Sequence, residues 1–108
     1  MDSTEISMKR MRAAACAATD TLKALANQDR LLLMCQLSQG EKCVSDLEAL
    51  LDIRQPTLSQ QLGVLRNEGF VSTRREGKRI YYAVSDAKVL ALLQTLYEHY
   101  CPQMDERK

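Results

Sequence analysis

The sequence predicts a mainly α-helical domain that carries one β-hairpin. Apolar residues recur at helical spacing through most of the 108 residues. Two runs rich in β-branched and aromatic residues, at 70–75 and 79–84, are separated by a glycine-containing turn at 76–78, which is a hairpin signal. The length suits one domain over residues 1–108. We therefore expect the element order α-α-α-α-β-β-α.

The first two predicted helices differ in the residues that they can bury. Residues 8–26 lack Gly and Pro and carry many alanines along one side, so this helix can pack closely against another helix. Asn27 can cap a second helix over 28–39, which ends at Gly40. Its dense apolar run, which includes Cys35, indicates a core helix.

The next two helices predict a helix-turn-helix. The sequence from Ser45 to Glu48 matches a capping box, which predicts a short helix over 46–51. After a tight break, Pro56 can open a second helix in its first turn, and Gly69 can end it in a left-handed conformation. Two helices joined by such a short turn form the DNA-binding motif of many regulators.

The second of these helices has an unusual exposed face. Leu58, Leu62 and Leu65 share one buried face. The opposite face carries short or uncharged polar residues, namely Gln55, Thr57, Ser59, Gln60 and Gln61. A Gln amide can pair with adenine in two places in the major groove, so these residues are candidates for reading base edges. The alternative is a solvated polar helix without a ligand.

Basic residues are concentrated in the same part of the chain. Residues 54–82 hold six basic and two acidic side chains, net +4, whereas the whole chain is only +1. A hairpin with a basic tip can lie against DNA phosphates without reading sequence. The candidate contacts in and beside it are Arg66, Arg74, Arg75, Lys78, Arg79 and Tyr81. An ordinary solvated hairpin is the alternative.

The last predicted helix indicates a dimer. Ser85 can cap a helix from Asp86 to about Tyr100, which Pro102 stops. Its wide apolar face has little remaining domain to cover. We expect a homodimer in which the first and last helices pair with their copies, so that two recognition helices lie about one DNA turn, roughly 34 Å, apart.

Composition excludes several other classes. No apolar run approaches the roughly 20 residues of a membrane span, and no signal peptide is present, so we expect a cytoplasmic protein with frayed ends at 1–7 and 102–108. The four cysteines, Cys16, Cys35, Cys43 and Cys101, form no C-x-x-C motif. They leave packing, metal capture or a redox switch as possible roles. Without a local cysteine motif and with one histidine, an enzyme is not expected.

Five segments resemble successive landmarks of the ArsR family of bacterial winged-helix repressors. They are LANQDRL at 25–31, VSDL at 44–47, QPTLSQQL at 55–62, LRNEG at 65–69 and RIYY at 79–82. The resemblance implies that helix 55–67 enters the major groove, that the hairpin is the wing, and that an inducer acts at a distance to release DNA.

The cysteines bear on the inducer. Arsenic-sensing members of the family open the first helix of the helix-turn-helix with Cys-Val-Cys-Asp-Leu, but residues 43–47 read CVSDL here. Zinc-sensing members place Asp and His ligands along the last helix, which here has only Asp86 and His99. No metal or cofactor is therefore expected. Cys35 and Cys101 match the persulfide- and redox-responsive branch, the BigR and SqrR group, in which one cysteine on each of these helices forms a dithiol switch.

This resemblance implies a mechanism. The reduced homodimer represses transcription at an inverted-repeat operator, and a low-molecular-weight persulfide or polysulfide, or an oxidant, links Cys35 to Cys101 and releases the DNA. Burial in the core is the alternative for Cys35. An arsenic or soft-metal sensor that uses Cys43 and Cys16 is the alternative function.

Overall fold

The structure, a computed structural model, describes residues 3–101, with side chains from residue 7 onward. Eight elements follow one another: α1 (Ser3–Leu25), α2 (Gln28–Leu37), β1 (Lys42–Cys43), α3 (Val44–Leu51), α4 (Thr57–Asn67), β2 (Val71–Glu76), β3 (Arg79–Val84) and α5 (Ala87–Tyr100). The predicted five helices and hairpin are confirmed. The predicted fraying of 102–108 lies outside the described residues.

Several helices have different bounds from those predicted. α1 begins at Ser3, so residues 3–7, which we expected to be frayed, belong to the helix. Residues 3–7 carry no apolar periodicity, so the pattern of apolar residues contains no sign of this extension. α2 ends at Leu37, two residues before the predicted end.

The caps of the helices confirm one prediction and correct two. The Asn27 side chain accepts the Arg30 backbone N–H at 3.0 Å and caps α2 as predicted. α3 begins at Val44, and its Asp46 carboxylate accepts the Cys43 N–H at 3.5 Å, so the predicted box from Ser45 to Glu48 is wrong. α5 is capped by Asp86 instead of Ser85.

Backbone pairing explains both corrections. Cys43 is the last residue of β1 as well as the residue before α3, so the strand fixes where the helix begins. The Ser85 N–H donates to the Phe70 carbonyl and its hydroxyl donates to the Gly69 carbonyl, which ties Ser85 to the start of β2. Asp86 is then the first residue free to cap α5, and its carboxylate accepts two backbone N–H groups.

The sheet contains one strand that was not predicted. The antiparallel strands lie in the order β1-β3-β2, and β1 pairs Cys43 with Tyr81. Two residues are too few to produce an alternating pattern, so β1 could not be read from the sequence. The wing is β2 and β3, joined by Gly77 and Lys78, and Gly77 has a φ of 64° that favours glycine.

The core lies under the helix-turn-helix and leaves much of α1 outside it. The most deeply buried large side chains include Leu33, Met34, Leu47, Leu58, Leu62, Leu65 and Leu93. In α1, by contrast, side chains 7–20 are all exposed, and burial begins only at Ala24 and Leu25. In the described part of the chain, no helix is both long enough and apolar enough to cross a membrane.

Candidate DNA interface and dithiol pocket

Four of the five predicted base-reading residues are exposed, and three of them lie in the first turn of α4. Thr57, Ser59 and Gln60 lie in the first turn and are exposed, while the leucine stripe on the other face is buried. Gln55 precedes the helix. Its side-chain oxygen accepts the Ser59 N–H at 3.2 Å and the Ser59 hydroxyl at 2.6 Å, which satisfies a free N–H of the first turn. Gln55 therefore orders the start of the helix.

Gln61 points toward the body of the domain. Its side-chain oxygen accepts a bond from Arg30 Nη1 at 2.9 Å, and Arg30 Nε donates to the Ala24 carbonyl at 2.5 Å. Arg30 thus joins the end of α1 and the start of α2 to the middle of α4. Sequence reasoning did not single out Arg30, because its partner is 31 positions away.

The wing holds a cluster of charged residues around Arg74. Its Nε and Nη2 donate to the two carboxylate oxygens of Glu41 at 2.7 and 2.8 Å, and its Nη1 donates to Glu76 at 2.8 Å. The guanidinium lies over the Tyr81 ring, 4.6 Å from the ring centre. Donation by Arg74 lowers the pKa of Glu41 and raises that of Arg74, so both groups are charged near neutral pH.

The other predicted basic contacts are exposed. Arg66 is in the last turn of α4, and Arg75, Lys78 and Arg79 are at the distal end of the wing. A hydrogen bond with Tyr81 raises the pKa of Arg79. The side chains of Arg75 and Lys78 make no hydrogen bond or ion pair within residues 7–101. These two cations are therefore available to an anionic partner.

The two predicted sensing cysteines line one cavity on another side of the domain. A cavity of about 480 Å³ lies between α2 and α5 and is lined mainly by apolar side chains. Its lining residues are Gln28, Leu31, Leu32, Cys35, Leu96, Tyr97, Tyr100 and Cys101. Both thiols are free and half-buried. Burial raises the pKa of Cys35, and the negative charge of a Cys101 thiolate raises it further.

The other two cysteines occupy different environments. Cys16 is exposed on α1, whereas Cys43 is buried and its Sγ lies 3.2 Å from the Ser45 hydroxyl oxygen. Ser45 stands where the arsenic-type motif has its second thiol, and it contacts Cys43 directly. No group of three or more His, Cys, Asp or Glu side chains that could hold a metal ion occurs in the described part of the chain.

Comparisons with known proteins agree with this geometry. Residues 27–73 match the profile of the family described as bacterial regulatory protein, arsR family. A biofilm growth-associated repressor from Agrobacterium fabrum strain C58 is 50% identical over 101 residues, which cover 94% of this chain and 86% of that protein. The chain belongs to the ArsR family. The relatives that it matches are named as transcriptional regulators, and the chain is a winged-helix transcriptional regulator of this family.

Solved structures of ArsR-type regulators share the fold. The transcriptional repressor BigR from Xylella fastidiosa superposes with a TM-score of 0.82 at 45% identity, covering 87% of this chain and 96% of that one. A homodimeric winged helix-turn-helix DNA-binding domain from Mycobacterium bovis superposes with a TM-score of 0.71 at 30% identity, covering 90% of each chain. The predicted fold class is therefore confirmed.

Proposed function

We propose that this ArsR-family repressor is a dithiol sensor of reactive sulfur species. The observation that carries the proposal is the placement of Cys35 and Cys101 in one apolar cavity, on two helices that are far apart in the sequence. In the reduced state the protein binds an inverted-repeat operator in the cytoplasm, where thiols are kept reduced. A persulfide or polysulfide then links the two cysteines and lowers the affinity for DNA.

A homodimer through α1 and α5 is part of the proposal. α1 exposes the apolar side chains of Met11 (62% accessible) and Leu22 (54%). In a monomer these side chains would stay in contact with water, whereas a partner subunit would cover them. A groove of about 530 Å³ between α1 and α5 is lined by Ala14, Ala17, Ala18, Thr21, Leu22, Asp86, Lys88, Val89 and Leu92. The small residues allow another helix to approach closely. The Mycobacterium bovis relative is homodimeric, which supports the same assembly here.

The DNA contacts divide into two kinds in this proposal. Thr57, Ser59 and Gln60 read base edges from the exposed first turn of α4. Arg75 and Lys78, whose side chains make no hydrogen bond or ion pair within residues 7–101, bind phosphates and supply the salt-dependent part of the affinity.

The sulfur chemistry begins at Cys101 because burial raises the pKa of Cys35, which lowers the fraction of Cys35 present as the thiolate. The Cys101 thiolate attacks the terminal sulfur of a low-molecular-weight persulfide, which yields a Cys101 persulfide and releases the parent thiol. The Cys35 thiolate then attacks the inner sulfur of the Cys101 persulfide, forms the disulfide and releases hydrogen sulfide. If Cys35 first acquires its own sulfur in the same way, condensation of the two persulfides gives a trisulfide and hydrogen sulfide. Peroxide can form the plain disulfide, with loss of two electrons to the oxidant.

The bridge acts on DNA binding through the dimer. It ties α2 to the end of α5, and α5 contributes to the proposed dimer interface. A small shift there changes the separation of two α4 helices that must fit a rigid DNA repeat. A coupling free energy of about 1 to 3 kcal/mol lowers affinity about 5- to 150-fold, which is enough to empty an operator.

Operator binding after chemical treatment tests the proposal. DNA duplexes selected from a random pool by the reduced, anaerobic protein serve as the probe, and the protein is treated with sodium tetrasulfide or with arsenite. Tetrasulfide should release the DNA from wild type and from Cys16→Ser, but not from Cys35→Ser. Release by arsenite alone would overturn the dithiol assignment and move sensing to Cys43.

A further inference from the structure

Arg74 and Arg75 are adjacent in the wing but have different surroundings. From the sequence, both are candidate DNA contacts. Side chains alternate between the faces of a strand, so the two arginines leave β2 in opposite directions. Arg74 lies opposite Tyr81 in the ladder and Arg75 opposite Ile80. Only Arg74 finds partners within the described domain.

The carboxylate partners of Arg74 occupy guanidinium N–H groups that could otherwise bind a phosphate. All three guanidinium nitrogens donate to carboxylates, and the bond to Glu41 is a two-pronged pair. One arginine between two carboxylates leaves the cluster with a net charge of −1. Two of the five guanidinium N–H groups are left over, but a DNA phosphate that used them would approach a cluster with a net negative charge, which repels it.

Glu41 lies in the segment that connects α2 to β1. It immediately precedes β1 and follows α2 by four residues, with Gly40 at a φ of 146° in between. The bond from Arg74 to Glu41 spans 33 positions of sequence. It therefore attaches the first strand of the wing to the segment that connects α2 to the sheet.

We propose that Arg74 is a positioning residue that holds the wing against the α2–β1 connection, and that it does not itself bind a DNA phosphate. Arg75 and Lys78 then meet the DNA from a wing whose orientation is fixed by the pair of Arg74 and Glu41. Glu41, an acidic residue in a DNA-binding protein, contributes to DNA affinity instead of opposing it.

The sign of the effect of Glu41→Gln separates this role from phosphate binding. If Arg74 bound a phosphate, freeing it from Glu41 and removing a negative charge would both strengthen DNA binding. Our proposal predicts a loss of about twofold to fivefold, the range expected for one exposed ion pair within a network. Added KCl screens the long-range effect of the lost charge more strongly than the direct hydrogen bonds between Arg74 and Glu41, so a salt series separates the two effects.

Charge-conserving substitutions provide the second arm of the test. Arg74→Lys keeps the charge but cannot make the two-pronged bond to Glu41. We expect it to weaken binding about twofold to fivefold. Arg75→Lys, the matched control on the same strand, keeps a cation for a phosphate and should bind nearly as wild type.

The measurement is fluorescence anisotropy of the full-length reduced protein with a mixed-sequence duplex of about 30 base pairs, enough for two half-sites, over a series of KCl concentrations. Thermal melting of each variant shows that it is folded. Unchanged or tighter binding by Glu41→Gln at high KCl would overturn the proposal, and so would equal binding by Arg74→Lys and Arg75→Lys. Because the probe is mixed-sequence DNA and no inducer is present, a failed sulfur response leaves this test intact.

Discussion

The proposed DNA-binding surface and the cavity that holds Cys35 and Cys101 are built from opposite kinds of residue. On the first, polar side chains are exposed, and several of them hold one another in place, as Gln55 holds Ser59 and Glu41 holds Arg74. In the second, two thiols lie among leucines and tyrosines, where burial raises the pKa of Cys35. Binding to DNA needs charge and donors in fixed positions, whereas the proposed sulfur chemistry needs two thiols in one cavity, one of which has a raised pKa. α2 serves both regions, since Arg30 bonds Gln61 of α4 and Cys35 faces α5.

The largest expected effect is the loss of the tetrasulfide response when either cysteine of the cavity is replaced. Cys35→Ser and Cys101→Ser should each abolish the tetrasulfide response, so that an affinity ratio of about 5 to 150 between reduced and treated wild type falls to about 1. Affinity of the reduced variants should stay near wild type, because neither thiol lies on the exposed face of α4 or on the wing. Anisotropy titrations measure both states. If Cys101→Ser still releases DNA after tetrasulfide treatment, sensing does not require the thiols of the cavity.

The next effect divides two neighbouring glutamines on α4. Gln60→Ala should weaken binding to the selected duplex by about 1 to 3 kcal/mol, the discrimination of one good base contact, while leaving mixed-sequence binding unchanged. Gln61→Ala removes the partner of Arg30 and should lower the free energy of unfolding by about 1 kcal/mol. Parallel titrations and urea unfolding measure the two quantities. A stability loss at Gln60, or an unaltered stability at Gln61, would contradict the division.

The wing should contribute affinity without sequence preference. Arg75→Met removes one phosphate contact per protomer, hence two per dimer, and should reduce the slope of log affinity against log salt by about 1.8. The loss should be the same for selected and mixed-sequence duplexes. A loss confined to the selected duplex would show that the wing reads bases.

The smallest effect concerns the pH dependence of the pocket. Because the pKa of Cys35 is raised, its thiol form persists to higher pH than that of an ordinary cysteine, so alkylation of Cys35 should be slow at neutral pH and still accelerating above the ordinary thiol pKa. In Cys101→Ser the neighbouring charge is absent but the burial of Cys35 remains. The pH at which the labelling rate of Cys35 is half-maximal should therefore fall, but should stay above that of an ordinary thiol. Iodoacetamide labelling rates across pH, read by peptide mass, measure this. An unchanged midpoint in Cys101→Ser would mean that the two thiols do not interact.

The sequence predicts features that depend on local pattern. The leucine stripe of α4, the cap at Asn27 and the positive φ of Gly69 each follow from residues within a few positions of one another. Contacts between residues that are far apart in the sequence do not follow from local pattern. The bonds from Arg30 to Gln61 and from Arg74 to Glu41 join residues 31 and 33 positions apart, and a list of candidate DNA contacts could not distinguish Arg74 from Arg75. The short β1 and the cap at Cys43 likewise depend on pairing with β3.

Peptide mapping after tetrasulfide treatment shows directly whether Cys35 and Cys101 become linked. Reduced protein is treated anaerobically, free thiols are blocked with iodoacetamide, and the digest is measured by mass spectrometry. We expect a peptide pair that joins Cys35 to Cys101 through two or more sulfur atoms, with Cys16 and Cys43 carrying the blocking group. Loss of DNA affinity with Cys35 and Cys101 both blocked, or with sulfur added at Cys43, would contradict it.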